Sequence, residues 1–548
     1  VDEKEAGSLI SGNTQGLKAS QIKALERLGT RKVNPAYLVT PEFARALTEI
    51  SHDIQRQVGV LLTRRGQVHA VVVGDARQVN LPEVPRRGLN RLSGIRLVHT
   101  HLLNEALNED DLTDLALLRL DAIAAIAVQE DGLPGVVHAA HLLPANAGDT
   151  PWTIEAPISV HDLPGDFLET LEALDDEFER HQAPRAAGDN RDRTILIHVS
   201  KLPPAVAQDS VDELSELARS AGLVVVDTLI QRRPPDPKFV TGQGKLKQAI
   251  IKAMQLGAEV LAFDMDLSPS QVKALSDMTD LKILDRTQLI LDIFAQHAET
   301  REGRVQVELA QLKYLLPFLS IRQTALSRLT GGIGGRGPGE TRLEVDRRRA
   351  RDRITQLERE VKKLGERREL RRNVRTRREV PTVAVVGYTN AGKSTLLNAL
   401  TQSEVIAEDM LFATLNPVSR RLRFPQEREV IITDTVGFIR NLPDDLMAAF
   451  RTTFEELHDA DLLLHVMDAS APDIEAKHAA VVKLLRELEL DRKPILTVLN
   501  KQDRTDADTL EGLRERYHGI PLSALEPATF QPLLEAMEHE LWLETAAR

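Results

Sequence analysis

One short stretch restricts the fold of this 548-residue chain more than any other. An apolar, β-branched run, Val383-Ala-Val-Val, breaks at Gly387. After Tyr388, Thr389, Asn390 and Ala391, the triplet Gly392, Lys393, Ser394 opens an amphipathic segment that continues from Thr395 to Leu400. The order is strand, loop, helix, at the spacing G-x-x-x-x-G-K-[ST]. Glycines let successive backbone N–H groups curl round a phosphate, and a helix N-terminus adds its partial positive charge at the same point. Lys393 reaches β- and γ-phosphates as a point charge, and the Ser394 hydroxyl suits a Mg²⁺ ion.

Motifs downstream extend this reading in a fixed order. Ile431-Ile-Thr-Asp434-Thr-Val-Gly437 closes a buried strand with D-x-x-G. Asp434 is placed to hold Mg²⁺ through water, and the Gly437 N–H to bind the γ-phosphate and sense its loss. Between the two motifs, Leu411-Phe-Ala-Thr414 supplies a switch threonine, the second Mg²⁺ hydroxyl. Asn500, Lys501, Gln502 and Asp503 form a strand-terminal N-K-x-D. The Asp503 carboxylate accepts from guanine N1–H and the exocyclic amine; adenine offers neither donor, so ATP leaves that carboxylate unpaired. Ser523 and Ala524 follow another short strand, with the Ala524 N–H expected on the guanine oxygen. The set describes a Mg²⁺-dependent site for GTP and GDP, with Lys393, Thr414 and Gly437 in the catalytic roles. Phe438 occupies the place where many GTPases put a water-orienting Gln, and a phenylalanine cannot orient water. Hydrolysis by the chain alone is therefore expected to be slow.

The rest of the chain is long enough for about two or three more domains. Cys is absent and no apolar run reaches the roughly 18 residues of a membrane helix. Val1-Asp-Glu-Lys-Glu carries no signal pattern. The expectation is a soluble, cytoplasmic monomer. Its net charge of −12 argues against indiscriminate nucleic-acid binding.

Residues 1–180 read as a mixed α/β extension. Val58–Thr63 and Val68–Gly74 flank a turn, Arg96–His101 reads as a strand and Asp111–Leu120 as a helix. His99 and His101, two apart on a strand, share a face, with Asp110, Asp111 and Asp114 close behind. Metal enzymes of the JAB/MPN type are similar in outline, with His-x-His before Ser-x-x-Asp, but Glu109 and Leu112 stand at those offsets. Helix-capping acids beside two ordinary histidines are the favoured alternative. A polar linker at 181–193 leads to a second α/β unit, 194–300, in which strands alternate with helices. There Gly244 and Lys245 open a helix without the first glycine or the hydroxyl of a phosphate loop, leaving a second nucleotide site weakly supported.

Residues 301–379 read as an antiparallel helical hairpin. Leu309, Leu312, Leu316 and Leu319 form one apolar seam; Ala350, Ile354, Leu357, Val361 and Leu364 form the other. Between them lie six glycines from Gly331 to Gly339, expected to form a flexible tip around Arg336. From Arg342 to Glu379 the count is 16 Lys/Arg against 8 Asp/Glu, or +8, which leaves −20 elsewhere. Such a rod can be a solvated coiled-coil face or an arm that tracks RNA phosphates; RNA is favoured, with Arg336, Arg342, Arg347, Arg348 and Arg349 as the contacts. The GTPase domain then spans 380–548.

With Gly387-to-Ser394, Leu411-to-Thr414, Asp434-to-Phe438 and the glycine loop in place, residues 194–548 resemble HflX, a translation-associated family of P-loop GTPases. The resemblance implies binding to the large ribosomal subunit and its RNA, and separation of stalled or idle ribosomes into subunits. It also keeps ATP binding open, and it offers no role for residues 1–180. Asn390 resembles the K⁺-binding Asn of cation-activated GTPases, so K⁺ or ribosomal RNA could complete the transition state; turnover in KCl against NaCl separates them. A large-subunit assembly or checkpoint GTPase, and an ATP-driven ribosomal RNA remodeller working near Lys245, remain as alternatives.

Overall fold

The computed structural model describes residues 9–82, 84, 91–144, 150–181, 191–298, 300–319, 342–375, 380–401, 419–424, 428–434 and 457–543. The chain forms two compact units: Val1–Val199 with Val226–Leu261 and Ser270–Ile283, and Ser200–Val225 with Ala262–Pro269 and Leu284–Arg548.

In the first unit an eight-stranded sheet runs in the order Ile10–Gly12, Val68–Val73, Val58–Thr63, Ile95–His101, Ile123–Val128, Pro134–Leu142, Trp152–Ile154, with Ile158–Ser159 also pairing Pro134–Leu142. The expected turn between Val58–Thr63 and Val68–Val73 is present, and the two strands are antiparallel. Gly66 makes it possible: its φ is +75°, and a Cβ there would stand 1.8 Å from the Val33 carbonyl oxygen. Alternation along the strands sorts side chains to two faces. Val58, Val60, Leu62, Val98, Ala124 and Ile126 pack under Phe43, Ala44, Leu47 and Ile54 of the helix Pro41–Ile54. Leu61, Leu97 and Ile123 pack on the other face, under Leu112 and Leu115 of the helix Glu109–Leu117 and Leu171, Leu174 and Phe178 of Phe167–His181. The helix expected from Asp111 starts two residues earlier, because the Asn108 side chain accepts from the Asp110 and Asp111 N–H groups and fixes the first turn there.

A second sheet has four strands, ordered Val224–Arg232, Arg193–Ser200, Val260–Phe263, Lys282–Asp285. The last is too short and too polar to announce itself by period.

The second unit carries a six-stranded sheet, ordered Ser419–Arg423, Glu429–Asp434, Thr382–Gly387, Leu462–Asp468, Ile495–Asn500, Ile520–Pro521. Only Ser419–Arg423 is antiparallel to its neighbour; the other pairings are parallel. Both faces are covered, as a parallel sheet requires. Val383, Val385, Ile432, Val466 and Val498 meet Leu396, Leu397 and Leu533 on one side. Ala384, Val386 and Tyr388 join Val481 and Leu485 on the other, in a core shared with Ile290, Phe294, Val307 and Ala310 from the helices Arg286–His297 and Arg301–Leu315.

The helical hairpin is antiparallel. Arg301 pairs with Glu360 at 2.7 Å and Glu308 with Arg353 at 2.7 Å, so seven residues up one helix match seven down the other. Its seam consists of Val305, Leu309, Leu312 and Leu316 against Ile354, Leu357 and Val361. It starts one turn before the expected seam and does not include Leu319, Ala350 or Leu364; at the Leu319 end, Pro317 lacks an N–H and the chain tightens to a 3₁₀ turn at Leu316–Phe318. Arg336 with the whole glycine tip, Thr414, Gly437 and Phe438 lie outside the described residues.

Candidate nucleotide-binding site

Because five of the six strands run parallel, Gly387, Asp434, Asp468, Asn500 and Pro521 end on one edge of the sheet. In open α/β sheets that edge is where ligands bind. Two glycines shape the loop there. Gly387 has φ +154°, and a Cβ on it would lie 2.3 Å from the Val466 carbonyl oxygen. Gly392 has φ +87°, and a Cβ would lie 2.3 Å from Asn500 Nδ2. Between them Asn390 is left-handed (φ +60°), a conformation Asn tolerates better than most residues. Lys393 begins the helix Lys393–Thr401, so the positive end of the helix dipole lies at the loop. The Lys393 side chain is buried, and its Nζ donates to the Tyr388 carbonyl at 2.8 Å, which holds the ammonium inside the curve of the loop. Thr389 is buried, while Ser394 and Thr395 are half-buried.

Asn500 ties the motifs together. Its Nδ2 donates to the Ala391 carbonyl at 2.8 Å, and its Oδ1 accepts from the Ala524 N–H at 2.9 Å. The Ala524 N–H, expected on the guanine oxygen, is thus engaged by Asn500 here. Lys501, itself left-handed, donates from Nζ to the Asn390 carbonyl at 2.9 Å and to Asp468 at 2.7 Å. Asp468 escaped the sequence reading. Its signal is the apolar run Leu462-Leu-Leu-His-Val-Met ending in an acid, which belongs to no motif taken alone. Ser523 is buried, and its Oγ accepts from the Leu525 N–H at 3.3 Å. Asp503 lies in the 3₁₀ turn Gln502–Arg504 with its carboxylate partly open to solvent, where an incoming base can meet it.

The surroundings keep charge in few places. His465, in register with Val386 of the loop strand, is pushed down to about 3 by burial first, then by His478 and Lys393, and so stays neutral. Burial works against the Arg286 charge, but Glu213 at 2.5 Å and Asp264 at 2.8 Å outweigh it and raise its pKa. Tyr388 also contributes to that field. For a Mg²⁺ ion the fitting donors are hard oxygens. Ser394 opens the loop helix, and Asp434 ends the strand beside the loop strand, paired in register with Val385.

Other expected positions fall elsewhere. Lys245 is exposed in the first turn of the helix Gln243–Leu256, its Nζ donating to Gln248 at 3.2 Å. Arg347, Arg348 and Arg349 stand on the hairpin helix Arg342–Arg375, the last two exposed. Among the described residues the His, Asp and Glu side chains with metal-ligand spacing are His99, His101 and Asp111, in the first unit.

Three family models match in succession: a GTP-binding GTPase N-terminal region at residues 208–295, a GTP-binding GTPase middle region at 297–375, and a 50S ribosome-binding GTPase at 382–501. GTPase HflX of Caldanaerobacter subterraneus is 46% identical over 357 residues, 65% of this chain and 82% of that one. GTPase HflX of Escherichia coli is 41% identical over 361 residues, 64% of this chain and 84% of that one. The crystal structure of a GTP-binding protein from Sulfolobus solfataricus in complex with GDP is 27% identical, covering 64% of this chain and 99% of that chain, with a TM-score of 0.36.

Proposed function

The chain belongs to the HflX family of GTPases, and from that premise we propose that this GTP-hydrolysing enzyme binds the large ribosomal subunit and splits stalled or idle ribosomes. Bound GTP fixes the splitting arrangement, and hydrolysis releases the factor. The observation that carries the reading is the position of Tyr388. This phosphate-loop residue is buried in the same apolar core as Ile290, Phe294, Val307 and Ala310, at the base of the basic hairpin. A shift of the loop on nucleotide exchange therefore reaches the hairpin through packed side chains, which resist continuous deformation.

In this mechanism the loop N–H groups and Lys393 bind the β- and γ-phosphates. Asn500 holds the loop and the Ala524 turn at fixed spacing, and Asp503 selects guanine. Thr414 and Gly437 read the γ-phosphate. Ser394, Asp434 and Thr414 would hold a Mg²⁺ ion, which would supply positive charge against the developing phosphate charge. The basic helix from Arg342 then seats on ribosomal RNA, with the ribosome completing slow hydrolysis.

Sedimentation of mature 70S particles with the protein and a non-hydrolysable GTP analogue tests the proposal. Conversion to subunits is expected, with GDP much less effective. Intact 70S particles at saturating protein would overturn splitting and favour an assembly role.

A further inference from the structure

The nucleotide mechanism leaves a cluster in the first unit unused. His99 and His101 lie at the end of the strand Ile95–His101, almost fully buried, on the sheet face covered by the helix Glu109–Leu117. Asp111 projects from the first turn of that helix. His99 Nε2 and His101 Nε2 are 3.0 Å apart. Asp111 Oδ1 is 3.3 Å from the first and Oδ2 is 3.4 Å from the second. A Zn–N distance of about 2.0–2.1 Å in a tetrahedral shell puts neighbouring donors about 3.3–3.4 Å apart. Each histidine nitrogen already has one Asp111 oxygen at that spacing, and one ligand atom from each of the three side chains lies within 4.8 Å of the other two.

Hydrogen bonding leaves one ring nitrogen of this arrangement without a partner. The Glu105 carbonyl lies 3.0 Å from His101 Nδ1 and can only accept, so that nitrogen carries a proton, and a neutral His101 ring presents its Nε2 lone pair to the centre. His99 Nδ1 is buried with no partner. If His99 is protonated there, its Nε2 lone pair faces the lone pair of His101 at 3.0 Å. If it is protonated at Nε2, a bare Nδ1 is buried instead. A cation between the rings accepts both Nε2 lone pairs and removes the repulsion.

Two of the three side chains, His101 and Asp111, also have the supports of a metal ligand. The Glu105 carbonyl fixes the His101 ring, and the Asn108 N–H donates to Asp111 Oδ2 at 2.9 Å. The capping role expected for these acids is therefore real, and one carboxylate serves both purposes. The in-register neighbours of His99 are Gly59 and Ala125, and that of His101 is Ala127, so the flanking strands place only small residues beside the cluster.

The geometry points to a mononuclear Zn²⁺ site formed by His99, His101 and Asp111, with its fourth position left to water or an exogenous ligand. This assignment is independent of the GTPase reading.

The test uses the full chain, stripped with chelator, equilibrated with Zn²⁺ in excess Mg²⁺, desalted and assayed for elemental content. One zinc per chain is expected in the wild type and in Asp110→Asn, whose carboxylate belongs to the neighbouring, exposed residue. His99→Gln and Asp111→Asn should retain less than about a tenth of that while matching metal-free wild type in circular dichroism and in hydrogen exchange of the strand Ile95–His101, which shows that the first unit is folded. Co²⁺ in the wild-type site should give the strong visible absorption of a four-coordinate centre, lost in Asp111→Asn. Wild type without zinc, or both ligand variants with full zinc, would overturn the site. Uptake of Fe²⁺ or Mn²⁺ in preference to Zn²⁺ would overturn the assignment of the ion.

Discussion

A single side chain, Asn500, holds two loops of the nucleotide site at a fixed spacing. Truncation to Ala leaves the Ala391 carbonyl and the Ala524 N–H buried without their partner. Each such group costs about 1–3 kcal/mol. Asn500→Ala should lower stability by about 2–4 kcal/mol in denaturant unfolding and weaken GDP binding by more than about tenfold. His465 supplies the pH dependence. Its folded pKa of about 3 lies below the ordinary 6.5, so the native state disfavours the proton. Its contribution is present above pH 6.5 and is lost as pH falls from there toward 3. The melting temperature should therefore drop more steeply over that window in wild type than in His465→Leu. Equal slopes would show that carboxylates alone set the acid limit. At this scale the sequence revealed which residue types meet a nucleotide, but not the Asn500 bridge or the Lys501–Asp468 pair. Both depend on the register of separate strands, which local pattern does not encode.

Among elements, the hairpin was the more legible and its ends the less so. The leucine period showed two facing helices, yet Pro317 moved the end of the seam, a steric matter that period counting ignores. Leu357 is wholly buried in that seam, whereas the Arg353–Glu308 pair is exposed. Leu357→Ala should cost about 2–4 kcal/mol and speed hydrogen exchange in Arg301–Leu315. Arg353→Ala should do much less, since exposed pairs contribute little. The helix Glu109–Leu117 teaches a related lesson. Counting offsets from His-x-His pointed to Glu109 and Leu112, but the Asn108 cap sets the rotation of the first turn and brings Asp111 round instead.

Over the whole molecule, charge is divided unevenly. The segment from Arg342 to Glu379 carries +8 against −20 elsewhere, so attraction to a polyanion is expected to concentrate along it. Replacing Arg347, Arg348 and Arg349 by Ala should weaken large-subunit binding and reduce the slope of log affinity against log salt by about 2–3. An unchanged slope would place those arginines off the RNA. The fold class, a P-loop GTPase domain preceded by further α/β structure, was readable from motif order and changes in composition. What composition could not convey is how much apolar surface the GTPase sheet shares with its predecessors. Ala384, Val386 and Tyr388 pack with Ile290, Phe294 and Val307, which lie far upstream in the chain. Cutting the gene at residue 380 would therefore yield a fragment with one greasy wall stripped bare. Such a truncated enzyme would be sticky and would report kinetics belonging to a loosened phosphate loop.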